Sequence, residues 1–121
     1  MHLVPTRAHG VIDYGSGLLL IALPWLLGFA DRGLPQWLCL LLGFGLLLVS
    51  LLTDYELGAA RLIPMPAHLA FDALGGAFFA ASPWLFGFAD RVWLPFLVVG
   101  AFEVIMALIT QRAPSDEPAL A

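Results

Sequence analysis

The string Ser82-Pro83-Trp84-Leu85-Phe86-Gly87-Phe88-Ala89-Asp90-Arg91 has an earlier copy in this chain that differs from it at two positions. The earlier copy reads Leu23-Pro24-Trp25-Leu26-Leu27-Gly28-Phe29-Ala30-Asp31-Arg32. Pro24 becomes Pro83, an offset of 59, and the same offset runs upstream without a gap. It carries Pro5 to Pro64, His9 to His68, Asp13 to Asp72, Gly17 to Gly76 and Ala22 to Ala81. Any fold for this chain must therefore work for both copies, with the same His and Asp near the same end of the same helix.

The solvent of that fold follows from composition. Hydrophobic residues make up 61% and charged residues 12%, against roughly 45–50% and about 25% in soluble domains. A water-soluble fold of this size would lack a polar skin, so a bilayer is the simpler surrounding. Four apolar stretches, about 9–29, 35–53, 67–88 and 92–110, each approach the ~20 residues a helix needs to cross hydrocarbon. Helices satisfy their own backbone groups there. The alternation of a spanning barrel does not appear. The expected fold is all-α: a polytopic membrane protein of four transmembrane helices arranged as two tandem hairpin repeats, 1–56 and 57–112. Residues 113–121 read as a polar, disordered cytoplasmic tail. Each unit holds two helices, so the second starts on the side where the first did. The copies are then parallel repeats about an axis along the membrane normal.

Further bounds come from charge and punctuation. The net charge is −4, every basic side chain is Arg, and no basic patch exists to hold nucleic acid. Cys39, the single cysteine, reads as a small packed hydrophobe. Arg7 before an apolar run imitates a secretory signal, but the recurrence of the segment at 68–91 argues for a retained helix. Arg7, Arg61 and Arg112 fall on one side and Arg32 and Arg91 on the other, which favours cytoplasmic termini. Trp25, Trp37, Trp84 and Trp93 gather at the opposite rim, as an aromatic belt does. Pro5 and Pro66 stand just before their helices, whereas Pro24 and Pro83 bend the late parts of theirs. The Ser82 hydroxyl can bond a carbonyl one turn back, which Leu23 cannot.

The polar residues carry the chemistry. His9 and Asp13 are four apart and share a helix face, as do His68 and Asp72. By the repeat all four sit at one depth. Polar groups at such depth normally turn inward and find partners. The leading reading is a hydrogen-bonded clasp, with the His of one copy meeting the Asp of the other or each pair bonding within its helix. A two-His, two-carboxylate metal site or a proton relay is the sharper alternative. No metal or cofactor is assigned on sequence grounds. Glu103 lies near the middle of the fourth helix, where a carboxyl is protonated, paired or beside water. The second helices align at an offset of 57, which pairs Gly43 with Gly100, Leu46 with Glu103 and Thr53 with Thr110.

Small residues mark helix contacts: Gly17 and Ala22, Gly43 and Gly45, and Ala73, Ala77 and Ala81 beside Gly76 and Ala80. The Pro-Trp-Leu-x-Gly-Phe segments, with Gly28 and Gly87, read as bends ending at an interfacial anchor.

The paired Pro24-Trp25 and Ser82-Pro83-Trp84 motifs, each late in the first helix of a two-helix unit, resemble the SPW repeat family. The likeness covers residues of about 5–112. It implies a small bacterial integral membrane protein built from helical hairpins, with no catalytic residue to carry over. Copy one departs from it by placing Leu23 where copy two has Ser82.

The expected role is non-enzymatic: a packing, scaffold or accessory component of the bacterial inner membrane. Its partners would be the lipid bilayer and either further copies of itself or a larger membrane protein. The alternative is a small proton or cation conduit using Glu103 with the His/Asp pairs. An enzyme ranks third, because Ser82 and the histidines lie at opposite depths and do not converge.

Overall fold

The computed structural model describes residues 2–113 and folds them into four α-helices. These are α1 Thr6–Leu26, α2 Leu34–Leu52, α3 Met65–Leu85 and α4 Leu94–Ile109. There is no strand among the described residues, only two isolated bridges. The tail expected to be disordered falls, from residue 114 onward, outside the described residues.

The first helix of each pair starts earlier than its apolar run. Pro5 and Pro64 stand at the N-caps in extended conformation (φ −64°, ψ 151° and φ −66°, ψ 149°). Pro66, expected just ahead of α3, is instead inside its first turn, where the missing N–H is no loss. The stops are equally alike. Gly28 and Gly87 take φ of +79° and +73°, a left-handed turn that costs glycine nothing. The next residue then donates back into the helix. Phe29 N–H bonds the Pro24 carbonyl and Phe88 N–H the Pro83 carbonyl, both at 2.8 Å. This is the left-handed glycine stop of helix C-termini. It explains the Pro-Trp-Leu-x-Gly-Phe pattern more fully than a bend does. The proline supplies the acceptor, the glycine makes the turn, and the phenylalanine donates and is buried.

α1 packs on α2 and α3 on α4, while α2 and α3 touch more loosely. Within each hairpin two glycines face each other. A Cβ on Gly17 would meet the Gly43 carbonyl at 2.9 Å, and one on Gly43 would meet the Gly17 carbonyl at 2.8 Å. Gly76 and Gly100 repeat this reciprocal approach. These four glycines therefore serve contacts within a hairpin, bringing backbone against backbone, whereas Gly45 faces Phe71 of the other hairpin. Between the hairpins, apolar grooves remain on both faces of the bundle. One of about 260 Å³ is lined by residues such as Leu42, Gly45, Phe71 and Phe79. The other, of about 280 Å³, is lined by Ser16, Leu20, Val99 and Phe102. The centre is filled by Leu20, Cys39, Leu46, Phe79 and Phe96. Phe79 stacks on Phe96 with centroids 4.5 Å apart.

The exterior is apolar. Leu18, Leu41, Leu74, Val98, Ile105 and Leu108 are all exposed. α2 has the length and apolarity to cross a membrane, with a mean hydropathy of 2.0. α4 is apolar but has 16 residues, about 24 Å at 1.5 Å per residue. It is shorter than the expected 92–110 because the chain turns first, with Arg91 and Val92 N–H both bonded to the Phe88 carbonyl.

Two main-chain clasps close the bundle at one end. Val4 N–H bonds the Ile109 carbonyl at 2.9 Å and Gln111 N–H the Val4 carbonyl at 2.8 Å. Ile63 N–H bonds the Leu52 carbonyl at 2.8 Å and Asp54 N–H the Ile63 carbonyl at 2.7 Å. So the segment entering α1 is tied to the end of α4, and the segment entering α3 to the end of α2. At the far end the loops meet where the Arg91 guanidinium donates to the Asp31 carboxylate. Gly33 N–H donates to the same carboxylate at 2.9 Å.

Candidate functional site

The helix starts set by Pro5 and Pro64 place His9 and His68 in the second turn of α1 and α3. Asp13 and Asp72 follow one turn later on the same faces. Because each hairpin's entry segment is tied to the exit of the other's second helix, these faces meet at the bundle centre. The result is a ring of four atoms in which nitrogen and oxygen alternate. His9 Nε2 lies 2.7 Å from Asp72 Oδ2 and 3.1 Å from Asp13 Oδ2. His68 Nε2 lies 2.7 Å from Asp13 Oδ2 and 3.2 Å from Asp72 Oδ2. Both forms of pairing foreseen in the sequence are present, and the contacts across the hairpins are the shorter ones. All four side chains are buried to 1% exposure or less. The two imidazoles meet edge to face, with centroids 5.4 Å apart.

The outer nitrogens have partners that sequence reasoning passed over. His68 Nδ1 is 2.7 Å from Thr53 Oγ1, and His9 Nδ1 is 2.7 Å from Thr110 Oγ1. Each threonine hydroxyl already donates its one hydrogen to a carbonyl four residues back, of Val49 and Met106 respectively. Its oxygen can then only accept, so each Nδ1 carries a proton. The two threonines stand at the offset of 57, which was the available signal, although in the sequence it serves only to set register. All four helices thus contribute: α1 and α3 the ring, and the ends of α2 and α4 the groups that orient it.

The connector seals this end. Tyr55 is buried and lies edge-on to His68, centroids 5.9 Å apart. It occupies the space a side chain on Gly10 would take, since a Cβ there would come within 2.5 Å of its ring. Thr6 donates to the Glu56 carboxylate at 2.7–2.8 Å. Tyr14 donates to the Leu57 carbonyl at 2.9 Å.

Glu103 does not join the ring. It is 1% exposed, and neither carboxyl oxygen has a hydrogen-bond partner. Its Cβ packs on Gly76, one turn past Asp72. Ser16 lies beside it, and it is near enough to Asp13, Asp72 and His9 to interact with them electrostatically.

The repeat motif sits away from this cluster. Pro24, Gly28, Pro83 and Gly87 form the helix stops. Trp25 and Trp84 are exposed beyond them, Trp84 against Trp93 at 6.0 Å. The Ser82 hydroxyl bonds the Phe78 carbonyl at 2.7 Å, so its hydrogen is spent on the helix backbone.

Two helical hairpins, each closed by a Pro-Trp-x-x-Gly stop and joined through a reciprocal His–Asp ring, define the class of protein. The chain belongs to the SPW repeat family: the model of the SPW repeat domain matches residues 7–110. No curated protein and no solved structure matches it.

Proposed function

We propose that this chain is a small multi-pass membrane protein whose role is structural: a packing, scaffold or accessory component held in one shape by its buried clasp. All four helices then cross or lie within the bilayer, with the termini cytoplasmic and the bacterial inner membrane as the setting. The observation that carries this reading is the sealed ring. Its Nε2 and Oδ2 atoms are spent on one another, on side chains at 1% exposure or less, beneath an exterior of exposed leucine, valine and phenylalanine. Groups so enclosed hold helices together and do not meet a substrate. The apolar exterior suits lipid, further copies of the chain or a larger membrane protein.

The test is fractionation followed by gentle detergent extraction and co-purification from native membranes. Recovery with membranes, in an assembly larger than the single chain, is expected. A stable, solitary monomer in the aqueous fraction would end the proposal.

A second reading, a proton or cation conduit, draws on Glu103, a buried carboxyl with neither oxygen bonded. Flux through liposomes containing the parent or Glu103→Gln decides it. Background flux in both removes the conduit.

A further inference from the structure

We propose that the ring of His9, Asp13, His68 and Asp72 is a binding site for one divalent first-row transition ion, with zinc-like ligand preferences. The inference deepens the clasp reading and rests on it, because the ion replaces the protons that otherwise hold the same four side chains together.

Three observations carry it. First, the donors converge: His9, Asp13, His68 and Asp72 each offer a ligand atom within 4.8 Å of the other three, and each Nε2 lies 2.7–3.2 Å from both Oδ2 atoms. An ion held at about 2.0–2.2 Å by imidazole nitrogen and carboxylate oxygen in a tetrahedron spaces its donors by roughly 3.3 Å. The two 2.7 Å edges then open by about 0.6 Å to reach that spacing, and the other two, at 3.1 and 3.2 Å, change little.

Second, the orientation of the imidazoles is already that of metal ligands. Thr53 and Thr110 accept from the Nδ1–H groups, which turns both Nε2 atoms to the centre of the ring. A metal-bound histidine normally has its outer nitrogen fixed by such a bond.

Third, the second oxygens of both aspartates, Oδ1 of Asp13 and Oδ1 of Asp72, are buried with no hydrogen-bond partner. Buried carboxylate oxygens are ordinarily satisfied. Here they are free to extend coordination from one oxygen to two.

The charge balances. Without metal, each Nε2 faces two carboxylate oxygens at 2.7–3.2 Å, an approach that needs one proton per imidazole between nitrogen and oxygen. The ring then holds two protons and two aspartate charges. A divalent ion enters as those two protons leave to solvent, and the buried ring stays neutral. Two imidazoles among four ligands favour zinc or cobalt over calcium and magnesium, which prefer all-oxygen shells.

The experiment uses the full chain in detergent, stripped with chelator and titrated with Co²⁺. The expected result is visible absorption bands of low-symmetry cobalt saturating at one ion per chain. Zn²⁺ should abolish them, and two protons should be released per ion in weakly buffered solution. Thr53→Val should weaken binding by about 10–100-fold, as loss of an orienting partner does, with unchanged helical circular dichroism. Glu103→Gln keeps all four donors and should keep the spectrum. Asp72→Asn should lose it. Should Asp72→Asn fail to fold, thermal unfolding of the stripped parent with and without Zn²⁺ replaces it, and a rise in Tm with Zn²⁺ is expected. A folded parent with no cobalt bands, no proton release and no zinc-dependent Tm overturns the proposal. So does a spectrum that a folded Asp72→Asn leaves untouched, which marks an adventitious surface ion. The clasp is tested separately, in the metal-free protein, by the stability of the same variants.

Discussion

His9 and Asp72 stand 63 residues apart in the chain and 2.7 Å apart in the fold, and His68 and Asp13 repeat the contact at the same distance. Each hairpin therefore supplies one donor and one acceptor to the other. The coupling is reciprocal in its contacts, while its surroundings differ: Tyr55 lies against His68, and Glu103 stands on α4 where α2 carries Leu46.

Removing one member of the ring is expected to be costly. Breaking a buried ion pair by deleting one partner typically loses about 3–5 kcal/mol, because the survivor is left unpaired. Asp13→Ala and Asp72→Ala should each fall near that range in equilibrium unfolding of the metal-free protein. Double-mutant cycles for His9 with Asp72 and for His68 with Asp13 should give similar coupling energies. Additive effects in both cycles would contradict the clasp.

The paired glycines make a second, separable prediction. Gly17→Ala and Gly43→Ala drive a methyl against a carbonyl oxygen of the neighbouring helix, and overpacking of this kind costs about 1–3 kcal/mol. At Gly15 on α1, by contrast, a methyl would find nothing within 4 Å. Gly15→Ala should be neutral or add up to about 1 kcal/mol through helix propensity. Thermal unfolding of the three variants in one detergent separates them.

The helix stops fail for a different reason. Gly28→Ala and Gly87→Ala meet open space, yet each must hold a left-handed backbone. That conformation costs a non-glycine residue roughly 1–2 kcal/mol. Both should lower stability by about this amount without changing helix packing. Faster amide exchange at Phe29 or Phe88 would show that the stop has frayed.

Glu103 gives a test of opposite sign. Leu46 fills the matching place on α2, and a buried polar group without a partner costs about 1–3 kcal/mol. Glu103→Leu should therefore stabilise the fold by up to that amount. A loss of stability would reveal a partner for this carboxyl.

At the far end, Gly33 N–H and then Arg91 hold the Asp31 carboxyl below its ordinary value. A depressed folded value contributes stability that is present above the unfolded pKa and lost as pH falls through the folded one. Asp31 lies open to solvent, so the effect should be small and shrink with salt. Arg91→Ala should move its titration up toward the ordinary range, read by carboxyl carbon chemical shifts.

Much of this arrangement was written in the chain. The offset of 59 puts His9 with His68 and Asp13 with Asp72, and the run of apolar residues leaves helices as the economical backbone. Short connectors make α1 and α2, and α3 and α4, neighbours. The helix starts were less legible, because Pro66 looks like a boundary and Pro64 is one. The stops were partly legible. A glycine two residues beyond a Trp-Leu pair suggests a turn, but its left-handed φ and the bond from Phe29 to Pro24 belong to geometry that hydropathy does not encode.

Pairing across the hairpins was a different matter. Local periodicity puts His9 above Asp13 on one face, because residues four apart always meet there. Whether His9 also reaches Asp72 depends on how two helices 59 residues apart are brought together. That was settled by backbone approach at Gly17–Gly43 and Gly76–Gly100, and by the ties from Val4 to Ile109 and from Ile63 to Leu52. The role of Thr53 and Thr110 has the same origin. Repetition and apolarity are properties of the chain and can be counted along it. The meeting of four side chains from two hairpins is a property of packing, where a contact between distant residues is made only by every element that positions them.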